Sequence, residues 1–377
     1  MLSVFDDETG GHGGDLARAA KLWNPDRGEL VDFSSNINPL GPAPGLLDHL
    51  RIALPEIVSY PSPQAREFRE RLAAFMGVPV ERLIIGNGAN ELIHLLILWS
   101  RPQRVLVPSP SFSEYERAAV LAGARVERYS LPPGDEVDFD ALGRKTGPGD
   151  LLVFCNPNNP TGMLSPRGGL SHLLETSAGK GASLMVDESF IPLTGRPEES
   201  LRDFQSEHLW VITSLTKLWS LPGLRLGCAV GPEKLTGAIT RWGDPWRVNI
   251  LAQKAGIYCL ESKGYLEKSL ALIKKEREFL TRGFLETGAF HVYEGSANYL
   301  LLRGLEAVFN VEDYQDYLAR RGVLIRRADN FFGLDQRYFR IAVRTRPENL
   351  RLIRETEAYL KSGESKIKNG SAGGENR

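Results

Sequence analysis

A series of short apolar segments between residues 83 and 230 constrains this chain most, because several are bounded by Gly or Pro and too brief for helices. The segments are Leu83-Ile84-Ile85, Arg104–Val107, Arg125–Tyr129, Leu151–Phe154, Ser183–Val186, Trp210–Thr213 and Gly227–Val230. Helical patterns lie among them, over Arg66–Met76 and Ala89–Trp99. Alternating strand and helix predicts an α/β fold with a mostly parallel central sheet and helices on both faces.

The texture changes near Trp246. A long helical stretch, roughly Ala252–Leu285, is followed by short strands at Asn298–Leu302, Val323–Arg326 and Tyr338–Val343, then a last helix at Pro347–Leu360. This predicts a second, smaller α+β domain, and 377 residues are long for a single core. The first 45 residues are rich in Gly, Pro and Asn, with one short helix at Leu16–Trp23, and read as an arm that folds against something else. The expected division is an arm over 1–45, a large domain over 46–250, a small domain over 251–361 and a disordered polar tail over 362–377.

A formal net charge of −1 gives no electrostatic case for nucleic acid or an anionic membrane as bulk partner, so any anion must be handled locally. Met1–Phe5 runs into Asp6-Asp7-Glu8 without the basic and apolar regions of a signal peptide. No apolar stretch reaches the ~18 residues of a membrane span. A cytoplasmic protein is expected. Of the three cysteines, Cys155 and Cys228 lie in apolar runs and read as buried free thiols, without metal spacing.

Several polar residues fall where strands end. Asp187 closes Leu184-Met185-Val186, and a carboxylate there is costly unless paired. Gly86-Asn87-Gly88-Ala89-Asn90-Glu91 joins a strand to an apolar helix, where small residues and a helix N-terminus suit a phosphate. Asn156-Pro157-Asn158-Asn159-Pro160-Thr161-Gly162 is an irregular loop with amide donors. Lys217 stands in Ser214-Leu215-Thr216-Lys217, with Arg225 eight residues later. Alone, Lys217 reads as a surface amine, Asp187 as a helix cap and Phe112 as core.

Together, in this order, these segments resemble the pyridoxal-phosphate (PLP) enzymes of the aspartate aminotransferase fold, over about residues 12–360. The resemblance implies fold type I and PLP as cofactor. Lys217 then holds the aldehyde, and Asp187 keeps the pyridine nitrogen protonated so that the ring can accept electrons. Gly88, Ala89, Ser214 and Arg225 hold the phosphate, Phe112 the ring plane, and Asn159 the ring's O3′. Tyr60 reaches the phosphate from a second subunit, which implies a homodimer. One position departs from the pattern. Many aminotransferases of this fold carry Tyr three residues after the Asp, where this chain has Phe190.

Within that superfamily the chain is similar to histidinol-phosphate aminotransferases and to threonine-phosphate decarboxylases of cobamide biosynthesis. His12-Gly13-Gly14 and Asp32-Phe33-Ser34-Ser35-Asn36-Ile37-Asn38-Pro39 favour the decarboxylases. The implied substrate residues are His12 and Gly13 at a phosphate, Asn36 and Asn159, Arg326 at the phosphate and Arg340 at the carboxylate, with Arg327 and Arg344 as ambiguous neighbours. The expected reaction is decarboxylation of O-phospho-L-threonine to (R)-1-amino-2-propanol phosphate. The alternatives are a histidinol-phosphate or related aminotransferase and an O-phosphoserine decarboxylase; a non-enzymatic regulator is disfavoured by the presence of both Lys217 and Asp187.

Overall fold

The apolar segments become strands in the computed structural model, which describes residues 13–23 and 30–362. In chain order they are β1 (Val31–Asp32), β2 (Leu83–Gly86), β3 (Arg104–Ser109), β4 (Arg125–Ser130), β5 (Asp150–Cys155), β6 (Ser183–Asp187), β7 (Leu209–Ser214) and β8 (Gly227–Val230). The last seven form one sheet in the order β2-β8-β7-β6-β5-β3-β4. Strands β4, β3, β5, β6 and β7 are parallel, and only β8 runs against its neighbours β7 and β2.

Side-chain alternation along each strand divides the sheet between two cores. Leu152, Phe154, Leu184, Val186 and Val211 face helices Arg66–Met76, Arg167–Ala178 and Ile250–Glu261 through Phe68, Leu72, Leu170, Leu173 and Ala255. Leu151, Val153, Cys155, Met185 and Ile212 face helices Ala89–Ser100 and Glu114–Leu121 through Leu92, Ile93, Leu96, Ala118 and Ala119. Burial on both faces explains why β5 and β7 read as unbroken apolar runs. The carboxyl ends of β3, β5, β6 and β7 then leave Ser109, Cys155, Asp187 and Ser214 at one edge of the sheet, where ligands of open α/β sheets bind.

The C-terminal part adds β9 (Phe290–Val292), β10 (Tyr299–Gly304), β11 (Val323–Leu324), β12 (Arg326–Arg327) and β13 (Tyr338–Ala342). A four-stranded antiparallel sheet, β12-β13-β10-β9, packs against helices Tyr265–Glu286, Val311–Arg320 and Arg346–Ser362 around Leu280, Phe284, Tyr314, Phe339, Leu352 and Tyr359. Two expectations change here. The long helical stretch is two helices, Ile250–Glu261 and Tyr265–Glu286, separated at Gly264, whose φ of 71° is open to glycine but unfavourable for other residues. The strand expected over Val323–Arg326 is divided between two sheets: β11 pairs in parallel with β1, whereas β12 pairs with β13.

That division docks the N-terminal segment. Val31 and Asp32 align with Val323 and Leu324, and Phe33 is fully buried in the C-terminal core. Helix Leu16–Trp23 lies on the same part of the molecule, with Ala19 against Ala319 and Leu324 and Trp23 Nε1 donating to Asp316 at 2.9 Å. The arm thus brings residues 33–38 over the carboxyl edge of the large sheet. Cys155, Cys228 and Cys259 are buried free thiols. Among the described residues no helix is long and apolar enough to cross a membrane, and no group of three or more His, Cys, Asp or Glu side chains could hold a metal. His12 and the tail beyond residue 362 lie outside the described residues.

Candidate active site

Asp187 ends β6 with a buried carboxylate whose two oxygens each accept one hydrogen bond. The Ser189 amide donates to Oδ1 at 2.9 Å and the Tyr115 hydroxyl to Oδ2 at 2.7 Å. Tyr115 was not anticipated from the sequence, where it looks like one more apolar position of its helix. Its ring meets Phe112 edge-on, at 5.6 Å between centroids and 82° between planes. Phe112 and Asp187, expected at the face and the nitrogen of one ring, therefore share a buried neighbour.

Beside β6, three strand ends lie abreast: Ser214 pairs with Gly227, which pairs with Gly86. Glycine is required at 227, since a Cβ there would fall 2.5 Å from the Ala89 amide nitrogen. At Gly88, with φ of 85°, a Cβ would fall 2.5 Å from Arg225 Nη2. The loop of residues 86–89 is thus pressed between β8 and the Arg225 guanidinium. No side chain caps the helix that follows at Ala89, so its first amides are left for another acceptor. The neighbouring Ser214 hydroxyl is 2.8 Å from the Thr216 hydroxyl. A cation, uncapped helix-end amides and hydroxyls gathered at one tightly packed backbone join are a donor set suited to a phosphate monoester.

Lys217 lies one turn beyond Ser214, in the short helix Leu215–Leu218. Its backbone carbonyl accepts from the Asn38 amide at 3.2 Å, and the Asn38 side chain donates to Leu218 O and Ser269 Oγ, both at 2.8 Å. Burial lowers the Lys217 amine to about 8, with the charges of Arg340 and Arg225 adding and Asp187 and Asp32 opposing. A lowered amine has more of the neutral form that adds to a carbonyl. Burial raises the adjacent Glu188 carboxyl to about 7. Glu188 accepts from the Ser200 hydroxyl and, at 2.7 Å, from the Leu201 amide.

On the other side of this edge stand two arginines. Arg326 and Arg340 are direct cross-strand partners on β12 and β13, and both are buried. Burial pulls Arg340 down to about 10, and burial together with Arg340's charge brings Arg326 to about 9. Arg340 Nη1 donates to Asn159 Oδ1 and Nη2 to Ser34 O at 2.7 Å, while its Nε is buried without an acceptor among the described residues. Arg326 bonds to Arg327 O and, at 2.9 Å, to Asn330 Oδ1. Asn36 is buried with its Oδ1 unpartnered. By contrast, Arg327 pairs with Asp329 at 2.6 Å and Arg344 with Glu348 at 2.7 Å, so the two ambiguous neighbours bind protein carboxylates.

The N-terminal segment completes this face. Asp32 accepts from the Ser34 amide at 2.8 Å and from the Ser35 hydroxyl at 2.6 Å, which orders the turn presenting Ser34 O to Arg340. The Gly14 amide donates to Ser34 Oγ at 2.9 Å, and a Cβ on Gly13 would fall 2.3 Å from Ser34 O. The glycine pair and the 32–36 segment are therefore one packed unit. In the loop of residues 156–162, Asn158 Nδ2 donates to Pro110 O at 3.0 Å, and the Asn158 carbonyl accepts from the Tyr299 hydroxyl at 2.9 Å. Phe190 packs edge-on against Tyr299 at 4.9 Å. Tyr60 is 81% exposed, packed on Trp246 at 5.0 Å.

A family profile described as "Aminotransferase class I and II" matches residues 28–355. The threonine-phosphate decarboxylase of Salmonella typhimurium is 34% identical, covering 91% of this chain and 94% of that protein. A histidinol-phosphate aminotransferase of Methanosarcina mazei is 31% identical, covering 94% of this chain and 95% of its own. The crystal structure of L-threonine-O-3-phosphate decarboxylase from Porphyromonas gingivalis superposes with a TM-score of 0.77 at 26% identity, covering 87% of this chain and 99% of that one. The chain belongs to the aminotransferase class I and II family and is a PLP-dependent enzyme.

Proposed function

We propose that the protein decarboxylates O-phospho-L-threonine to (R)-1-amino-2-propanol phosphate for the cobamide nucleotide loop. The observation that carries this is the cross-strand pair of buried arginines, Arg326 and Arg340. Like charges directly opposite each other are unfavourable, so the pair calls for a ligand with negative charge at closely spaced points. A phosphorylated amino acid with a short skeleton supplies a phosphate and a carboxylate at such a spacing. The similarity to threonine-phosphate decarboxylases and the packing of Gly13 and Gly14 on Ser34 support the same reading.

In this reading PLP, held by Lys217, Asp187, Phe112, Asn159, Gly88, Ala89, Ser214 and Arg225, supplies an electron sink for the pair released when the Cα–carboxylate bond breaks. Lys217 would hold the cofactor's aldehyde, and its ammonium, made more acidic by burial, would be the group that delivers a proton to Cα. Arg340 holds the carboxylate through a fork fixed by Asn159 and Ser34, which orients the bond to be broken. Arg326 holds the phosphate, and Asn36 offers its unpartnered Oδ1 to a substrate donor. Asn159 Oδ1 is occupied by Arg340, so its amide nitrogen is the donor left for O3′. Carbon dioxide leaves without a 2-oxo acid being consumed.

The test supplies phosphothreonine without any 2-oxo acid and follows carbon dioxide over many turnovers. Catalytic release is expected, and Arg340→Ala should lower kcat/KM roughly 10- to 200-fold through loss of a charge-assisted contact. No carbon dioxide, together with robust glutamate formation from histidinol phosphate and 2-oxoglutarate, assigns the aminotransferase activity instead. Running phosphoserine in parallel separates the two decarboxylase readings, which differ by one methyl group.

A further inference from the structure

We infer that Tyr115 is a positioning residue, whose hydroxyl sets how strongly Asp187 draws on the proton of the cofactor's pyridine nitrogen. This inference rests on the PLP site described above and adds a residue to it.

The geometry is specific. Tyr115 is 1% exposed, and its hydroxyl is aimed at the carboxylate at the end of β6. With Ser189 N–H on Oδ1 and Tyr115 O–H on Oδ2, each carboxylate oxygen keeps a lone pair for one further donor. The same side chain buttresses Phe112 edge-on. Its position is locked from both sides. Ala118 and Ala119, in the same helix, are fully buried against the sheet, and the adjacent Glu114 accepts from Asn90 Nδ2 at 3.2 Å. Asn90 belongs to the helix that begins at the phosphate loop. One helical turn thus ties together the groups expected at the nitrogen, the face and the phosphate of one ring.

The surroundings keep Tyr115 a neutral donor. Burial, with Asp187 adding, raises its hydroxyl well above the usual tyrosine value. Cys155, aligned with Asp187 on the neighbouring strand, is raised by burial to about 12 and donates to Pro157 O at 3.3 Å. Tyr299 is likewise raised by burial, and Lys217, Arg340, Arg225, Asp32 and Glu188 are charged or titratable groups around this edge. A donated hydrogen bond stabilises an ionised carboxylate and weakens its hold on another proton. Without the Tyr115 hydroxyl, Asp187 is more basic and draws the pyridine proton toward itself. The ring then withdraws electrons less, and the yellow, protonated linkage to Lys217 persists to higher pH.

Tyr115→Phe removes only the hydroxyl. Tyr129→Phe is the matched control, because Tyr129 is also a buried tyrosine on this sheet but donates to a backbone carbonyl, Val153 O, at 2.8 Å. In Tyr115→Phe the pH midpoint of the yellow band should move upward by about half a unit or more. The kcat for carbon dioxide release should fall about tenfold with KM little changed. Tyr129→Phe should shift neither. Site-specific 3,5-difluorotyrosine at position 115, a stronger donor, should move the midpoint downward, and this decides the matter should the Phe variant not fold. A midpoint unmoved by either replacement overturns the inference alone. A parent protein in which borohydride traps no cofactor on Lys217 overturns the site reading and the inference with it.

Discussion

Lys217 shows how one residue can carry both reactivity and a stability cost. Its amine lies near 8 in the folded protein against 10.5 normally, because burial disfavours the charged form. Between these values the unfolded chain binds more protons than the folded one, so stability rises with pH. Below about 8 the cost is present in full, and it disappears as pH rises through 8 toward 10.5. The difference corresponds to on the order of 3 kcal/mol. Cofactor-free Lys217→Met should therefore be more resistant to urea than the cofactor-free parent near neutral pH, and the two should converge by pH 10.5. A gap constant across that range rules out burial of the charge as the cause. Sequence reasoning could propose Lys217, Asp187 and Arg340 because lysine, aspartate and arginine stood in recognisable strings. Tyr115 was invisible: nothing in Glu114-Tyr115-Glu116 indicates that the tyrosine points at a carboxylate 72 residues away.

Among the elements, the join between β8 and helix Ala89–Ser100 is the most demanding. The missing Cβ of Gly227 lets backbone approach backbone, and the nearest atoms, Ala89 N and Gly88 C, cannot rotate away. Gly227→Ala should cost about 1–3 kcal/mol of stability through overpacking and should weaken cofactor binding measurably in equilibrium dialysis. Gly168 lies in helix Arg167–Ala178, where an added Cβ meets nothing within 4 Å. Gly168→Ala should leave cofactor affinity unchanged and stabilise by roughly 0.5–1 kcal/mol, from helix propensity alone. Equal effects of the two substitutions in thermal denaturation and dialysis contradict the close-approach argument. Local pattern predicted the glycine loop at residues 86–88, but Gly227 looked like any other strand residue. Its requirement arises from strand pairing.

For the whole molecule, the surface around residues 46–60 is the notable feature. Ile52 is 79% exposed, Val58 88% and Tyr60 81%, and Leu54, Ile57 and Trp246 are also exposed. Clustered apolar exposure of this kind marks an interaction surface. We propose a homodimer in which Tyr60 of each chain completes the phosphate site of the other. Separately inactive Tyr60→Ala and Lys217→Ala proteins, mixed under conditions of subunit exchange, should regain activity through hybrid dimers. A fully active monomer in light scattering ends that reading.

Sequence alone determined the fold class. Apolar runs of strand length alternating with helical spacing can satisfy their backbone and bury their faces as a parallel sheet between helices. It also marked the residues whose chemistry is local: the glycine loop, the amide-rich loop and the lysine beyond β7. Only the tertiary structure decided what depends on distant partners. The division of Val323–Arg327 between two sheets follows from Val31 and Asp32 offering β11 a parallel edge, a pairing across 292 residues. The placement of Arg326 opposite Arg340 follows from the register of β12 on β13. Periodicity records which face of an element is buried; it holds no record of what lies across from it, and the face that carries Arg326 and Arg340 is made of such pairings.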